Sequence, residues 1–479
     1  MSKFVYPLPI SPNFRKPTSV EECLPQARLF VKKERGRAAL GPVRRGDKIL
    51  IVTYADQDEY VREAVIQALK EAGAAAVDFL FTHELTGVEQ TLVSVEEAWR
   101  EAEMMQQGRV SGSYTVSDRT SGVDLAAALR KYLDEHPGYT GLFWDTGGRP
   151  HRVFALKEHG GTFRGNWLFN NWEEFLSPAW TFPDELWKAM EQKILDALSL
   201  ASAVRITDPE GTHLEYALTP EQAHRWAMTA GLSGHLFLDP LQSTSSENAV
   251  VPVSEKVPMI FPGYNGVLAG TANHFGFFPR MELHFADGRL VEVKGGGRYG
   301  ELITELEERY HDVHWPGYPA KGFFWYCDCA LCTTVKAFRR TSDLFNSYWR
   351  IPNAPERNRA GVFHMGIGSR RHTEEHRTYA RENNVPMGHI HVHNYFATFE
   401  IQIQGSKNWF KIIDKGRVSA LDDVDLRALA TKYGDPDDLL AYDWIPPLPG
   451  INCEGDYRED YAPDPIAFLK KRIAAGLSI

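Results

Sequence analysis

The sequence of 479 residues carries 17 histidines, and six of them crowd between positions 364 and 393: His364, His372, His376, His389, His391 and His393. Neutral imidazole offers a nitrogen lone pair near pH 7, which makes histidine the commonest metal ligand. The segment Gly388–Gln404 (GHIHVHNYFATFEIQIQ) alternates as a strand does. Successive side chains of a strand point to opposite faces, so His389, His391 and His393 are expected on one face, where neighbouring imidazoles can reach one ion. His364 stands in Val362–Gly368, where Gly366 and Gly368 let backbone pass close to a site. Three neutral imidazoles leave an ion's full positive charge for its substrate. Such a site suits an anionic, chelating ligand, for instance a catecholate-like or hydroxy-acid group. Non-haem iron with a facial set of protein ligands and open positions activates O2 in this way. Zinc with three histidines and a water, whose pKa falls to about 7, makes a hydrolase instead. The ligand types alone leave both metals open.

Acid–base partners are expected beside the ligands. His389 lies one step from His391 on the same strand face. His274 sits in the Gly-flanked loop Thr271–Gly276 (TANHFG), and Tyr395 extends the face beyond His393. Three other patterns compete. His372-Thr373-Glu374-Glu375-His376 fits the inverted zincin pattern, but Arg370, Arg371 and Arg377 give that helix a solvated face. Gly295-x-Gly297-x-x-Gly300 has dinucleotide-fingerprint spacing. The strand before it reads as the second arm of a hairpin, so a helix-entry turn explains it better. Cys327, Cys329 and Cys332 are dense, yet a zinc site needs a fourth ligand, and buried thiols explain them more simply.

The elements that must position these groups fall into two grammars. Lys48–Thr53, Glu59–Ala72 and Ala75–Phe81 read as strand, helix and strand, a unit that implies a parallel sheet. Leu125–Leu133 continues as helix, Thr140–Trp144 as strand and Glu185–Ala203 as a long closing helix. From Ala203 onward short strands dominate, with a hairpin turn at Ala286–Arg289. The expected fold is an α/β amino-terminal domain (residues 1–203) followed by an α+β, β-rich metal-binding domain (204–420). A carboxy-terminal arm (421–479) completes it, and its aromatic residues require burial.

Composition excludes other classes. The net charge of -10 comes from interleaved acidic and basic residues, which argues against a nucleic-acid footprint. No apolar run is long enough to span a bilayer, so no membrane association is expected. The Pro-rich start lacks the apolar core of a signal peptide, and five cysteines make no disulfide framework, so a cytoplasmic location is expected.

The order of the segments resembles a known family. An α/β half is followed by Val204–Leu218 (VRITDPEGTHLEYAL) and Gly266–Gly297. An H-x-G-x-G segment (His364–Gly368) and an H-x-H strand (His391-Val392-His393) come after them. From about Arg44 to Gly416 this succession resembles the thermophilic metallo-aminopeptidases and their relatives, the 2,5-dihydroxypyridine 5,6-dioxygenases. In the dioxygenases, iron is held by the His of such a segment and by the His and Asp of an H-x-D strand. The resemblance therefore implies Fe(II) held by His364, His391 and His393. It departs at His393, where the family has Asp. The carboxylates that hold two metals in the peptidases are also missing: Phe237-Leu238-Asp239-Pro240 offers no Glu. A single-metal site with neutral ligands follows, on the dioxygenase side of the family. The implied function is a mononuclear non-haem iron dioxygenase cleaving a small hydroxylated aromatic or heteroaromatic ring with O2. A zinc-type metallohydrolase, aminopeptidase- or amidase-like, is the alternative. The family habit of oligomerising, with the aromatic arm, implies at least a homodimer.

Overall fold

Asp58 begins the first clear helix because its carboxylate accepts the backbone N–H groups of Tyr60 and Val61, which a helix start otherwise leaves unpaired. Val61, Ala64, Val65, Ala68 and Leu69 then recur at helical spacing and are buried along Glu59–Glu71. In the computed structural model this helix joins β1 (Lys48–Thr53) to β2 (Ala76–Phe81), as the sequence pattern requires. The strands β3 (Val93–Ser94), β4 (Gly141–Trp144) and β5 (Thr162–Gly165) follow. A parallel sheet of order β2-β1-β4-β5 results. Ile49, Ile51, Phe30 and Phe143 pack in a hydrophobic cluster belonging to this half. The structure describes residues 4–13, 15–34, 38–53, 57–87, 93–94, 98–106, 125–144, 162–165, 171–227, 235–237, 263–342, 344–347, 353, 355–368, 374–387, 389–477 and 479.

The second half is antiparallel. Its strands are β6 (Ala201–Thr207), β7 (His213–Ala217), β8 (His235–Phe237), β9 (Asn265–Ala272), β10 (Phe277–Ala286), β11 (Arg289–Gly295), β12 (Tyr326–Cys332), β13 (Asn346–Ser347), β14 (Phe363–Gly368), β15 (His389–Asn394), β16 (Thr398–Ile403), β17 (Trp409–Asp414) and β18 (Arg417–Val418). The larger sheet runs β11-β10-β9-β7-β6-β16-β17-β18, and a smaller one runs β15-β14-β12-β8. The two sheets touch where β9 meets β15. A Cβ on Gly270 would stand 2.5 Å from Val392 Cγ1, so only glycine allows this approach. Asn394 ties the same contact, donating to the Ala269 carbonyl at 2.8 Å and accepting from the Thr212 hydroxyl at 3.2 Å.

Two elements differ from the expectation. Gly388–Gln404 is not one strand but β15 and β16, which belong to different sheets. The alternation continues across the corner because each strand has its own buried face, while Tyr395, Phe396 and Ala397 turn the chain. The expected helix Glu185–Ala203 runs instead over Asp184–Leu198, and β6 begins at Ala201. Leu198 is its last buried residue, and its buried face (Leu186, Met190, Ile194, Leu195) joins the core of the antiparallel sheets. Ala102 and Met105 of the helix Arg100–Gln106 join that core too. The carboxy-terminal aromatics dock on their own chain. Tyr442, Trp444 and Tyr461 are buried. The Trp444 indole donates to the Ile479 carbonyl at 2.7 Å. Ile445 exchanges backbone hydrogen bonds with Ile10.

Candidate metal centre

β14 and β15 pair in a register that sets His364 opposite His393, Gly366 opposite His391 and Gly368 opposite His389. Paired residues share a face, so this register places His364, His391 and His393 on one side of the small sheet. A fourth histidine arrives from the large sheet. β9 and β10 are joined by Asn273-His274-Phe275-Gly276. The Asn273 side chain accepts from the backbone N–H of Phe275 (2.9 Å) and of Gly276 (3.2 Å), closing the turn. The turn is anchored from outside by Asn353, whose amide donates to the Asn273 carbonyl at 2.9 Å.

The result is a cluster of imidazoles with almost no solvent contact. His274 and His391 are fully buried and His364 is 3% exposed. Nitrogen atoms of His274, His364 and His391 all lie within 4.8 Å of one another. The His274 and His364 rings are stacked with centroids 4.5 Å apart; His391 lies 4.1 Å from the first and 4.4 Å from the second. Metal–nitrogen bonds of about 2.0–2.1 Å hold tetrahedral donors about 3.3 Å apart. A tilt of these side chains by an ångström or so closes the difference, so the donor set fits one ion.

Donor and acceptor roles follow from the groups at the edge of the cluster. The Glu356 carboxylate accepts from His393 Nδ1 at 2.7 Å, so that nitrogen carries a proton. Burial outweighs Glu356 and holds the His393 pKa below the usual histidine range. Neutral His393 therefore presents a bare Nε2, which lies 2.9 Å from His274 Nδ1 and accepts from it. His274 is likewise neutral: burial first, then the Arg357 charge, drives its pKa well down. Arg357 Nη1 stands 2.7 Å from His274 Nε2 and 3.1 Å from its Nδ1, so the guanidinium packs across the ring face and leaves the Nε2 lone pair in the ring plane. The chain His274–His393–Glu356 thus has one consistent proton arrangement. His391 has its own carboxylate, with Nδ1 3.3 Å from Glu101. Imidazoles backed by carboxylates in this manner are held in one tautomer and orientation, as metal-bound histidines are.

Glu356 is the hub. It is fully buried, accepts also from the Asn353 amide and the Tyr395 hydroxyl (both 3.2 Å), and lies 3.7 Å from Arg339. Tyr395 meets the same Glu356 oxygen that His393 does. It lies past the end of β15 and touches the cluster through Glu356, and its hydroxyl accepts from Arg339 at 2.8 Å. Burial raises its pKa, so it stays a phenol. The His389 backbone follows the expected register, while its side chain lies outside the described residues. His393, expected among the ligands, stands one hydrogen bond behind His274. His274, expected as an acid–base group, stands beside His364 and His391. Two-residue spacing brings His391 and His393 to one face but does not say which of them meets a residue from another sheet.

The competing patterns come apart. His372 lies outside the described residues, Glu375 is exposed, and His376 binds the Pro316 carbonyl at 2.8 Å. Gly295, Gly296 and Gly297 all have positive φ and form a helix entry after the hairpin strand β11. Cys329 and Cys332 are buried three residues apart on β12, hence on opposite faces. Glu101, Glu356 and Arg357 had no signal in the sequence: they stand in ordinary mixed-charge stretches (Arg100–Glu103 and Glu356–Arg359), and only burial marks them.

No family model matches this chain, and no curated protein matches it. Solved structures similar to it include a 2,5-dihydroxypyridine dioxygenase from Pseudomonas putida KT2440, at 10% identity and a TM-score of 0.41, covering 84% of this chain and 99% of that one. Wild-type AmpT from Thermus thermophilus is similar at 13% identity and a TM-score of 0.39, covering 84% of this chain and 100% of that one. Both likenesses are distant, and neither assigns a residue here.

Proposed function

We propose that His274, His364 and His391 hold one divalent metal ion and that the protein is a mononuclear non-haem iron dioxygenase. Its substrate is a small hydroxylated aromatic or heteroaromatic ring, cleaved with O2. The observation that carries this reading is the convergence of three buried imidazole donors within 4.8 Å, with the carboxylates of Glu101 and Glu356 hydrogen-bonded to imidazole Nδ1 atoms. Fe(II) bound there would supply O2 activation. The chain's own residues do the rest. Glu101 orients His391. Glu356, through His393, fixes the tautomer of His274. Arg357 places a permanent positive charge against the ligand set, which favours an anionic phenolate or carboxylate. Burial keeps water from the reacting centre.

A zinc hydrolase can also be built on three histidines, but it needs a general base beside the bound water. Glu101 and Glu356 are both engaged in hydrogen bonds with imidazoles, which supports the oxygenase over the hydrolase. Among the described residues Cys23, Cys329, Cys332 and Cys453 form no disulfide, and a reducing, cytoplasmic compartment belongs to the reading. Among the described residues no helix is long and apolar enough to cross a membrane. Assembly to at least a homodimer belongs to the reading but must use surfaces other than the arm aromatics, which are buried in their own chain. A strict monomer in light scattering at micromolar concentration overturns that part. For the chemistry, anaerobically purified protein is analysed for metal and given catechols and dihydroxypyridines. Iron with substrate-dependent O2 uptake is the expected result; zinc with amide cleavage overturns it.

A further inference from the structure

Arg357 sets a cation against the histidine cluster. Its Nη1 stands 2.7 Å from His274 Nε2 and 3.1 Å from Nδ1 of the same ring, so the guanidinium packs across the imidazole face and leaves the in-plane Nε2 lone pair to an ion. Nδ1 is engaged by His393. The guanidinium cannot retreat far. Arg357 is 6% exposed and sits in the short turn Glu356–Asn358, whose neighbour Glu356 is fixed as the hub of the cluster. An ion at the histidines therefore has a second cation beside it in a buried, weakly screening pocket. An anion that chelates the ion and meets the planar guanidinium with a second pair of oxygens relieves this repulsion.

We propose that Arg357 makes metal binding at the histidine cluster depend on a bidentate anion, such as a dicarboxylate or an aromatic diolate, that binds together with the ion. This rests on the metal-centre reading above and adds to it an obligatory order: the centre fills with its anionic chelate rather than before it. The substrate class is then a dianionic chelator, and a neutral ring would not load the site.

The test is calorimetric titration of Co(II), under anaerobic conditions, into metal-stripped full-length protein with and without oxalate, at matched free Co(II). Three proteins are compared: wild type, Arg357→Gln and Arg357→Lys. Oxalate should tighten Co(II) binding to wild type at least tenfold. Arg357→Gln should bind Co(II) alone at least tenfold more tightly than wild type and gain little from oxalate. Arg357→Lys, which keeps the charge, should remain oxalate-dependent. Circular dichroism melting establishes that each variant is folded, and Arg357→Met, with the same expected result, replaces the Gln variant if that one is not. Equal Co(II) affinity of wild type with and without oxalate overturns the coupling. So does an undiminished oxalate effect in Arg357→Gln. Absence of Co(II) binding by all three proteins in every condition overturns the metal centre itself, and the coupling with it.

Discussion

Rising pH should weaken this fold through a buried acid pair that lies outside the metal centre. Asp208 and Glu210 occupy the turn between β6 and β7. Asp208 accepts the backbone N–H groups of Glu210 (2.9 Å) and Phe396 (3.1 Å). Glu210 accepts the hydroxyls of Thr271 (2.7 Å) and Tyr457 (2.8 Å). The turn thus clamps three segments: β9 three residues before His274, the corner three residues after His393, and the carboxy-terminal arm. Burial pushes Asp208 up to about 7; burial and then the Asp208 charge push Glu210 up to about 8. Both are raised above their unfolded values. The folded state therefore binds the extra protons, and the stability they lend is complete below about pH 4 and lost as pH rises through about 8. For Glu210 alone, moving from pH 5.5 to 8.5 removes roughly 3 kcal/mol by this linkage. The perturbation is Glu210→Gln, whose amide keeps a carbonyl for the two hydroxyls and cannot ionise. Urea denaturation at the two pH values is the assay. Wild type should lose stability toward pH 8.5, and the variant should lose roughly 3 kcal/mol less, a large fraction of the 5–15 kcal/mol typical of whole proteins. A wild-type stability that is flat over this range, or a variant with the full wild-type slope, refutes the assignment.

Other perturbations have equally direct readouts. Glu101→Gln should weaken metal affinity about 10–100-fold, the usual loss when a partner of a ligating histidine is changed; unchanged affinity in calorimetry would show that Glu101 does not orient His391. Gly270→Ala forces a methyl to 2.5 Å from Val392 Cγ1. It should cost about 1–3 kcal/mol of overpacking in urea denaturation; a neutral result would mean that the two sheets do not meet as described. Trp444→Ala removes a fully buried indole that lies 4.8 Å from the Arg339 guanidinium and donates to Ile479. It should cost about 3–5 kcal/mol, and a loss below 1 kcal/mol would contradict self-docking of the arm.

Much of this was legible because period and burial coincide. KILIVT, EYVREAVIQALKE and AVDFLF declare their elements through apolar spacing alone, and the structure places β1, the helix Glu59–Glu71 and β2 accordingly. The histidine face of β15 was legible for the same reason. Its end was not: alternation passes through Tyr395–Ala397 unbroken, and the break is made by Asn394 and Phe396 bonding to Ala269, Thr212 and Asp208, residues distant in sequence. The composition of the site was legible only in part. His391 and His393 announce themselves by spacing, and His364 through the resemblance of its H-x-G-x-G segment. His274 is brought in by a hairpin tip from the other sheet, and Glu101 comes from 290 positions away. Local pattern cannot predict such long-range contacts, because they depend on how the sheets pack.

The central claim is that one ion is held by His274, His364 and His391, with His393 behind them. It is tested most directly by the metal content of anaerobically purified wild type and four single alanine variants after loading with metal in the presence of oxalate. The expected result is one ion per wild-type chain and loss of the ion in His274→Ala, His364→Ala and His391→Ala. His393→Ala should still bind metal, about 10–100-fold more weakly. Full occupancy in His274→Ala together with complete loss in His393→Ala would contradict it and return the ligand role to the β15 pair. A wild-type protein that takes up no metal would contradict the centre altogether.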